Sequence, residues 1–191
     1  PDGSRRWLVY WGREGVHGAT AAVDQAGQLW VATAGDGTLL RVQADGAVLV
    51  ALQGADVAGI AFSPDGGTMY LADVVGEYVA AADFDPDSGR LGPRRPLFPV
   101  PGRPCALHVD AGGGLWVTQN ADIAVLRYRP DGALDRRVGL DPAQSTGCVF
   151  GGIRLTDLYL TAAPPESTEP AGPLLVIPDA GQGLPTPVFG G

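Results

Sequence analysis

One element recurs along this chain at a spacing that few folds can accommodate. A turn rich in Gly or Asp is followed by an apolar–aromatic–apolar triplet. It appears in Asp24-Gln-Ala-Gly-Gln-Leu-Trp-Val-Ala-Thr33, Ser63-Pro-Asp-Gly-Gly-Thr-Met-Tyr-Leu-Ala-Asp73, Asp110-Ala-Gly-Gly-Gly-Leu-Trp-Val-Thr-Gln119 and Gly151-Gly-Ile-Arg-Leu-Thr-Asp-Leu-Tyr-Leu-Thr161. The triplets begin at Leu29, Met69, Leu115 and Leu158, at offsets of 40, 46 and 43 residues. One four-stranded propeller blade needs a period of this size. A β-sandwich or a single barrel also uses many short strands, but neither demands the same turn–triplet element at that interval.

The strands of a module can be followed in order. In the third they are Ala106–Val109, Leu115–Thr118, Val125–Tyr128 and Ala133–Val138, joined by Asp110-Ala-Gly-Gly-Gly, Asn120-Ala-Asp and Arg129-Pro-Asp-Gly. All three links are turn chemistry. The first two strands are nearly continuous apolar runs, as expected of strands covered on both faces, and the outer ones mix in Arg and Asp. The reading is therefore all-β: a β-propeller of four-stranded blades, about four in this chain. Residues 1–18 form an N-terminal strand (Trp7–Trp11) and a Gly-rich loop. The blades follow at approximately 19–57, 58–104, 105–146 and 147–191. The run Pro187-Val-Phe189 could pair with an early strand to close a ring and hide its edges.

Charge narrows the partners. Thirteen basic residues against 21 acidic ones give a net charge of −8, which argues against a nucleic-acid surface and against anionic membranes. The expected partner is a small molecule. No apolar stretch approaches the roughly 20 residues needed to cross a bilayer, and no leader pattern is present. The chain begins at Pro1 without Met, which points to a processed or cut terminus; the compartment stays open, with the cytoplasm favoured. Two cysteines, Cys105 and Cys148, make neither a disulfide framework nor a structural zinc motif. One disulfide between them is conceivable.

The segment Gly59-Ile-Ala-Phe-Ser-Pro-Asp-Gly-Gly-Thr-Met-Tyr-Leu-Ala-Asp73 closely resembles the senescence marker protein/gluconolactonase/luciferin-regenerating enzyme family. The likeness continues through Phe84–Arg95, Gly102-Arg-Pro104, Val109–Ala111, Leu115–Val117 and Cys148-Val-Phe-Gly-Gly152, and more weakly to Leu174–Gly191. The resemblance implies a six-bladed ring with a divalent cation, commonly calcium, in its channel, and hydrolysis of lactones and related esters. It also marks departures. The family's Asn before Gly-Ile-Ala-Phe is Ala58 here, and its Asp after Arg-Pro is Cys105. A substrate-gripping Arg-x-Asn-Asp falls on His17, Ala19 and Thr20. Ala offers no ligand and Cys a soft one, so the family's metal site is absent in its usual form. A rebuilt site would draw on Glu14, Asp56 and Asp73. With four modules against six, a portion is missing, the ring closes with fewer blades, or two chains combine as a homo-oligomer.

The candidate catalytic residues are Glu14, His17 and Cys105. A His and a carboxylate at the channel mouth could do acid–base work, and a thiol beside a base could act as nucleophile. Period-two alternation puts His108 on the face opposite Cys105. Ala19, Thr20, Ala58 and Cys148 are expected to line the channel. Asp83–Gly89 superficially echoes a calcium loop but lacks the Gly and Glu positions of one, and reads as a hairpin. Trp30 and Trp116 hold equivalent repeat positions and read as core. The stretch Ala163–Pro173 reads as a long loop beside the channel opening. Two functions follow: a divergent lactonase or esterase, or a non-catalytic propeller binding a small molecule or a protein.

Overall fold

In the computed structural model, residues 14–119, 124–140, 144–163 and 172–190 are described. The expected strand Trp7–Trp11 and most of the loop Ala163–Pro173 lie outside them. The described residues are all-β and form four blades. The first contains β1 (His17–Val23), β2 (Leu29–Ala34), β3 (Leu39–Val42) and β4 (Val48–Leu52). The second contains β5 (Val57–Phe62), β6 (Thr68–Asp73), β7 (Tyr78–Asp85), a two-residue β8 (Arg90–Leu91) and β9 (Arg95–Pro99). The third contains β10 (Pro104–Val109), β11 (Leu115–Gln119), β12 (Ala124–Tyr128) and β13 (Leu134–Gly139). The fourth has β14 (Gln144–Gly151), β15 (Asp157–Ala163) and β16 (Leu174–Ile177). Strands within each blade pair antiparallel, and the innermost strands β1, β5, β10 and β14 pack against one another in sequence around the hub.

Alternation explains the three seams between blades. On β6, Met69 and Leu71 face the first blade with its Trp30, Ala32 and Leu39, while Tyr70 and Ala72 face the third with Leu107, Val109 and Val117. On β11, Trp116 turns instead toward Phe150, Leu158 and Leu160 of the fourth. A strand sandwiched between blades needs apolar residues on both sides, which is why the triplets are apolar throughout.

The recurrent Asp of the turn is structural. Asp24 accepts hydrogen bonds from Ala26 N, Gln28 N and Trp30 Nε1, the last at 2.8 Å. Asp110 accepts from Gly112 N, Gly114 N and Trp116 Nε1, the last at 2.9 Å. Arg41 and Arg127 then sit over the two indoles, each guanidinium 6.0 Å from the ring centre. Both tryptophans are fully buried. The Asp83–Gly89 segment is a hairpin between β7 and β8, with Asp85 accepting from Ser88 and Asp87.

The C-terminal segment differs from expectation. Pro187–Phe189 forms no strand, because Pro185 and Pro187 have no N–H to give a ladder. Instead the tail is held as a strap. Gly183 N donates to Leu155 O at 2.7 Å, Ala111 N to Gln182 O at 2.7 Å, and Gly190 N to Gly27 O at 2.9 Å. It thus runs from the fourth blade past the third to the β1–β2 turn of the first.

Candidate functional site

Each inner strand carries one irregularity at the same place, near its start. The pairing register slips between Gly18 and Thr20 on β1, Val57 and Gly59 on β5, Pro104 and Ala106 on β10, and Ser145 and Gly147 on β14. A bulge leaves its extra residue out of the ladder and re-aims the side chain. The extra residues are Ala19, Ala58, Cys105 and Thr146, and all four line a cavity of about 700 Å³ at the hub. That volume suits a small molecule. The inner strands form its wall, and Leu184–Pro187 of the strap contribute to it. Among the described lining residues there is no Asp, Glu, Lys or Arg.

Of the residues expected at the site, Ala19, Thr20, Ala58, Cys105 and Cys148 border this cavity. Glu14 and His17 do not; both are exposed ahead of or at the start of β1. The structure therefore does not gather Glu14, His17 and Cys105 around one point in the hub. Burial pushes the Cys105 thiol up, with Arg103 pulling it only part of the way back. It is a thiol at neutral pH, not the thiolate a nucleophile requires. Cys148 turns its sulfur to the seam, donating to Trp116 O at 3.7 Å, and burial pushes it up to about 12. Both cysteines are present as thiols. Alkylation of the native protein near pH 8, read by mass spectrometry, is expected to label Cys105 well before Cys148. Equal labelling would contradict this seam geometry.

Asp56 and Asp73 lie elsewhere, in a second cleft of about 530 Å³ bordered also by Asp36 and Tyr78. Asp73 is already engaged, with Oδ2 3.2 Å from Arg94 Nη1 and Oδ1 accepting from Gly76 N at 2.8 Å. Glu14, Asp56 and Asp73 do not converge, and no group of three such ligands meets among the described residues. A hard cation takes six to eight oxygen ligands. Ala19, Ala58 and Cys105 supply none from their side chains, and Thr146 supplies one hydroxyl. The bulge positions of these four blades do not fit calcium.

Three wall elements escaped sequence reasoning. Thr146 holds the fourth bulge, where Cys148 was the expected channel residue. The strap segment Leu184–Pro187 carries no residue pattern that points inward. His108 borders the same cavity as Cys105, as do Leu107 and Val109, and its ring packs toward the fourth blade. Its ring centre is 5.7 Å from that of Phe150, and its Nε2 is sealed from water with no hydrogen-bond partner. Burial holds the imidazole below its usual range, with the Asp110 charge opposing only in part, so it is neutral at physiological pH. No helix among the described residues is long and apolar enough to cross a membrane.

Comparison with known proteins places this geometry. Regucalcin of Xenopus laevis is 31% identical over 132 residues, covering 66% of this chain and 44% of its own length. L-arabinolactonase of Azospirillum brasilense is 36% identical over 107 residues, covering 54% of this chain and 35% of its own. The chain spans about half or less of the length of such curated relatives. The solved structure of a luciferin-regenerating enzyme superposes with a TM-score of 0.85 at 25% identity, over 95% of this chain and 68% of that one. The family model described as the SMP-30/gluconolactonase/LRE-like region matches residues 21–164, and the chain belongs to that family.

Proposed function

We propose that this chain takes a small lactone or ester in the hub cavity, and that hydrolysis of that ester is the chemistry it serves. The observation that carries the proposal is the set of four matched bulges, which aim one side chain per blade into one ligand-sized space. Family membership and the likeness to L-arabinolactonase support the reaction class. Hydrolysis breaks the acyl C–O bond. The acyl carbon gains the hydroxyl of water, and the leaving oxygen takes a proton. The wall residues bind and orient the ester and keep bulk water from its apolar parts. No carboxylate lines the described wall, so a carboxylate base would have to come from outside it. No step is assigned to calcium, because the side chains at the four bulges do not suit it.

That same absence of a carboxylate favours a second reading, binding without turnover. The two separate in one set of measurements on the purified chain. Acid release from a panel of lactones and esters is followed by pH-stat, with and without chelator, beside thermal unfolding with the same compounds. Turnover above buffer supports hydrolysis. A ligand-raised unfolding midpoint without acid release supports binding alone. Chelator-sensitive turnover would refute the metal-free wall, and no response to any compound would refute both readings.

A further inference from the structure

We infer that Arg103 receives a carboxylate at the end of the hub cavity where the four bulges lie, so that the ester taken there carries an acid group of its own. This rests on the proposed lactone or ester binding and narrows its substrate class; it does not need turnover. Gly102-Arg103-Pro104 leads into β10, and the register slip that follows puts Cys105 in the cavity wall, two residues after Arg103. The Arg103 carbonyl accepts from Cys105 Sγ at 3.6 Å, which ties the rim of the hub to its wall.

Two features set Arg103 apart. Its φ of 63° is left-handed, although it carries a long side chain and a proline follows it. Such a backbone is costly for a residue with a Cβ, more so before proline, and persists where the surrounding structure imposes it. Its charge is also uncommitted. Arg94, Arg95 and Arg127 of the second and third blades are held by Asp73, Asp83 and Asp110, whereas the exposed Arg103 makes no ion pair among the described residues. No Asp or Glu of the described wall opposes it, and Asp56 and Asp73 border the second cleft instead. Burial pushes the Cys105 thiol up and the Arg103 charge draws it part of the way back, so the field of the guanidinium reaches the wall. Low-dielectric walls focus such a field, and the flat guanidinium fork matches the two oxygens of a carboxylate. A carboxylate held there leaves the uncharged body of the ligand against Ala19, Ala58, Ile60 and Phe62.

Titration calorimetry of the full chain with γ-carboxy-γ-butyrolactone, ionised at neutral pH, and with its uncharged methyl ester tests this. At low ionic strength the carboxylate is expected to bind roughly three- to tenfold more tightly than the methyl ester. That excess should shrink as ionic strength rises toward about 1 M. An excess that is absent, or that salt leaves unchanged, overturns the inference. Arg103→Gln is expected to bring the carboxylate down to the affinity of the methyl ester, and to leave the methyl ester within about twofold. Arg103→Lys keeps the charge and loses the fork, so it is expected to retain part of the excess. Arg154→Gln removes another exposed cation, in the β14–β15 turn, and is expected to change neither affinity. An excess that survives Arg103→Gln, or that falls as far in Arg154→Gln, overturns the role given to Arg103. The salt series uses the unaltered chain, so it decides the matter even if the Arg103 variants do not fold. Tighter binding of γ-hydroxybutyrate, the acid that ring opening of γ-butyrolactone releases, would assign Arg103 to the product and overturn the substrate class. A methyl ester that binds as well as the carboxylate leaves lactone binding in place and refutes this inference alone; no binding of either refutes both.

Discussion

Replacing Asp110 with alanine is expected to lower the unfolding free energy by about 2–4 kcal/mol, because it leaves buried N–H donors without an acceptor and the part-buried Arg127 with one carboxylate fewer. Asp110 is 3% exposed. Its carboxylate accepts from two backbone amides, from Trp116 Nε1, and from Arg127 Nε at 2.7 Å. Arg127 also pairs with Asp135, so the group links the inner turn to the outer strand of the third blade. Alanine would leave the indole N–H and the Gly114 amide without an acceptor inside the blade. Urea unfolding followed by tryptophan fluorescence measures the loss, and a change under about 1 kcal/mol would contradict this account. The pH dependence follows from the same contacts. Burial alone would raise the carboxyl, but the bonds from Arg127, Trp116 and Gly114 and the Arg127 charge override it and hold it below the usual range. The stabilisation is therefore complete above the unfolded carboxylate value of about 4. It is lost as pH falls through the lower folded value. Wild type and Asp110→Asn are expected to converge in stability only in that acid window.

Gly59→Ala is the second large effect. Gly59 follows the bulge on β5, where the hub brings β5 against β10. A Cβ there would stand 2.7 Å from Leu107 N and 2.8 Å from Leu107 Cβ, closer than packed atoms tolerate. One contact is backbone, which cannot swing aside, so the seam between the second and third blades must open. The expected cost is about 1–3 kcal/mol. Gly67→Ala is the control. Its nearest neighbour would be Asp65 Oδ1 at 3.6 Å, an ordinary contact, and its change is expected to stay within about 0.5 kcal/mol. Matching losses at the two glycines would show that close approach of the inner strands is not what requires Gly59.

Much of the architecture was legible because blades repeat their chemistry. Asp24 and Trp30 stand six residues apart, as do Asp110 and Trp116, and the arginine over each indole follows eleven residues later. The Leu115-Trp-Val triplet reads as a doubly covered strand, and the structure buries all three residues. The site was legible only in part. Ala58 and Cys105 were found because the family resemblance marked their positions. Thr146 was missed because a bulge leaves no mark in residue type, yet it shifts every assignment of face on its strand. The fate of the C-terminus was readable in principle, since Pro185 and Pro187 rule out a paired strand, but where the strap would anchor depends on Gly27 and Ala111, far away in sequence.

A residue that sits outside the ladder owes nothing to its neighbours' pairing. At positions 19, 58, 105 and 146 the backbone takes the same detour whether the side chain is a methyl, a thiol or a hydroxyl. Such a scaffold can exchange its inward chemistry one blade at a time without renegotiating the sheets that carry it. Two chains with this skeleton can therefore differ in what their hubs present while their sheets stay the same.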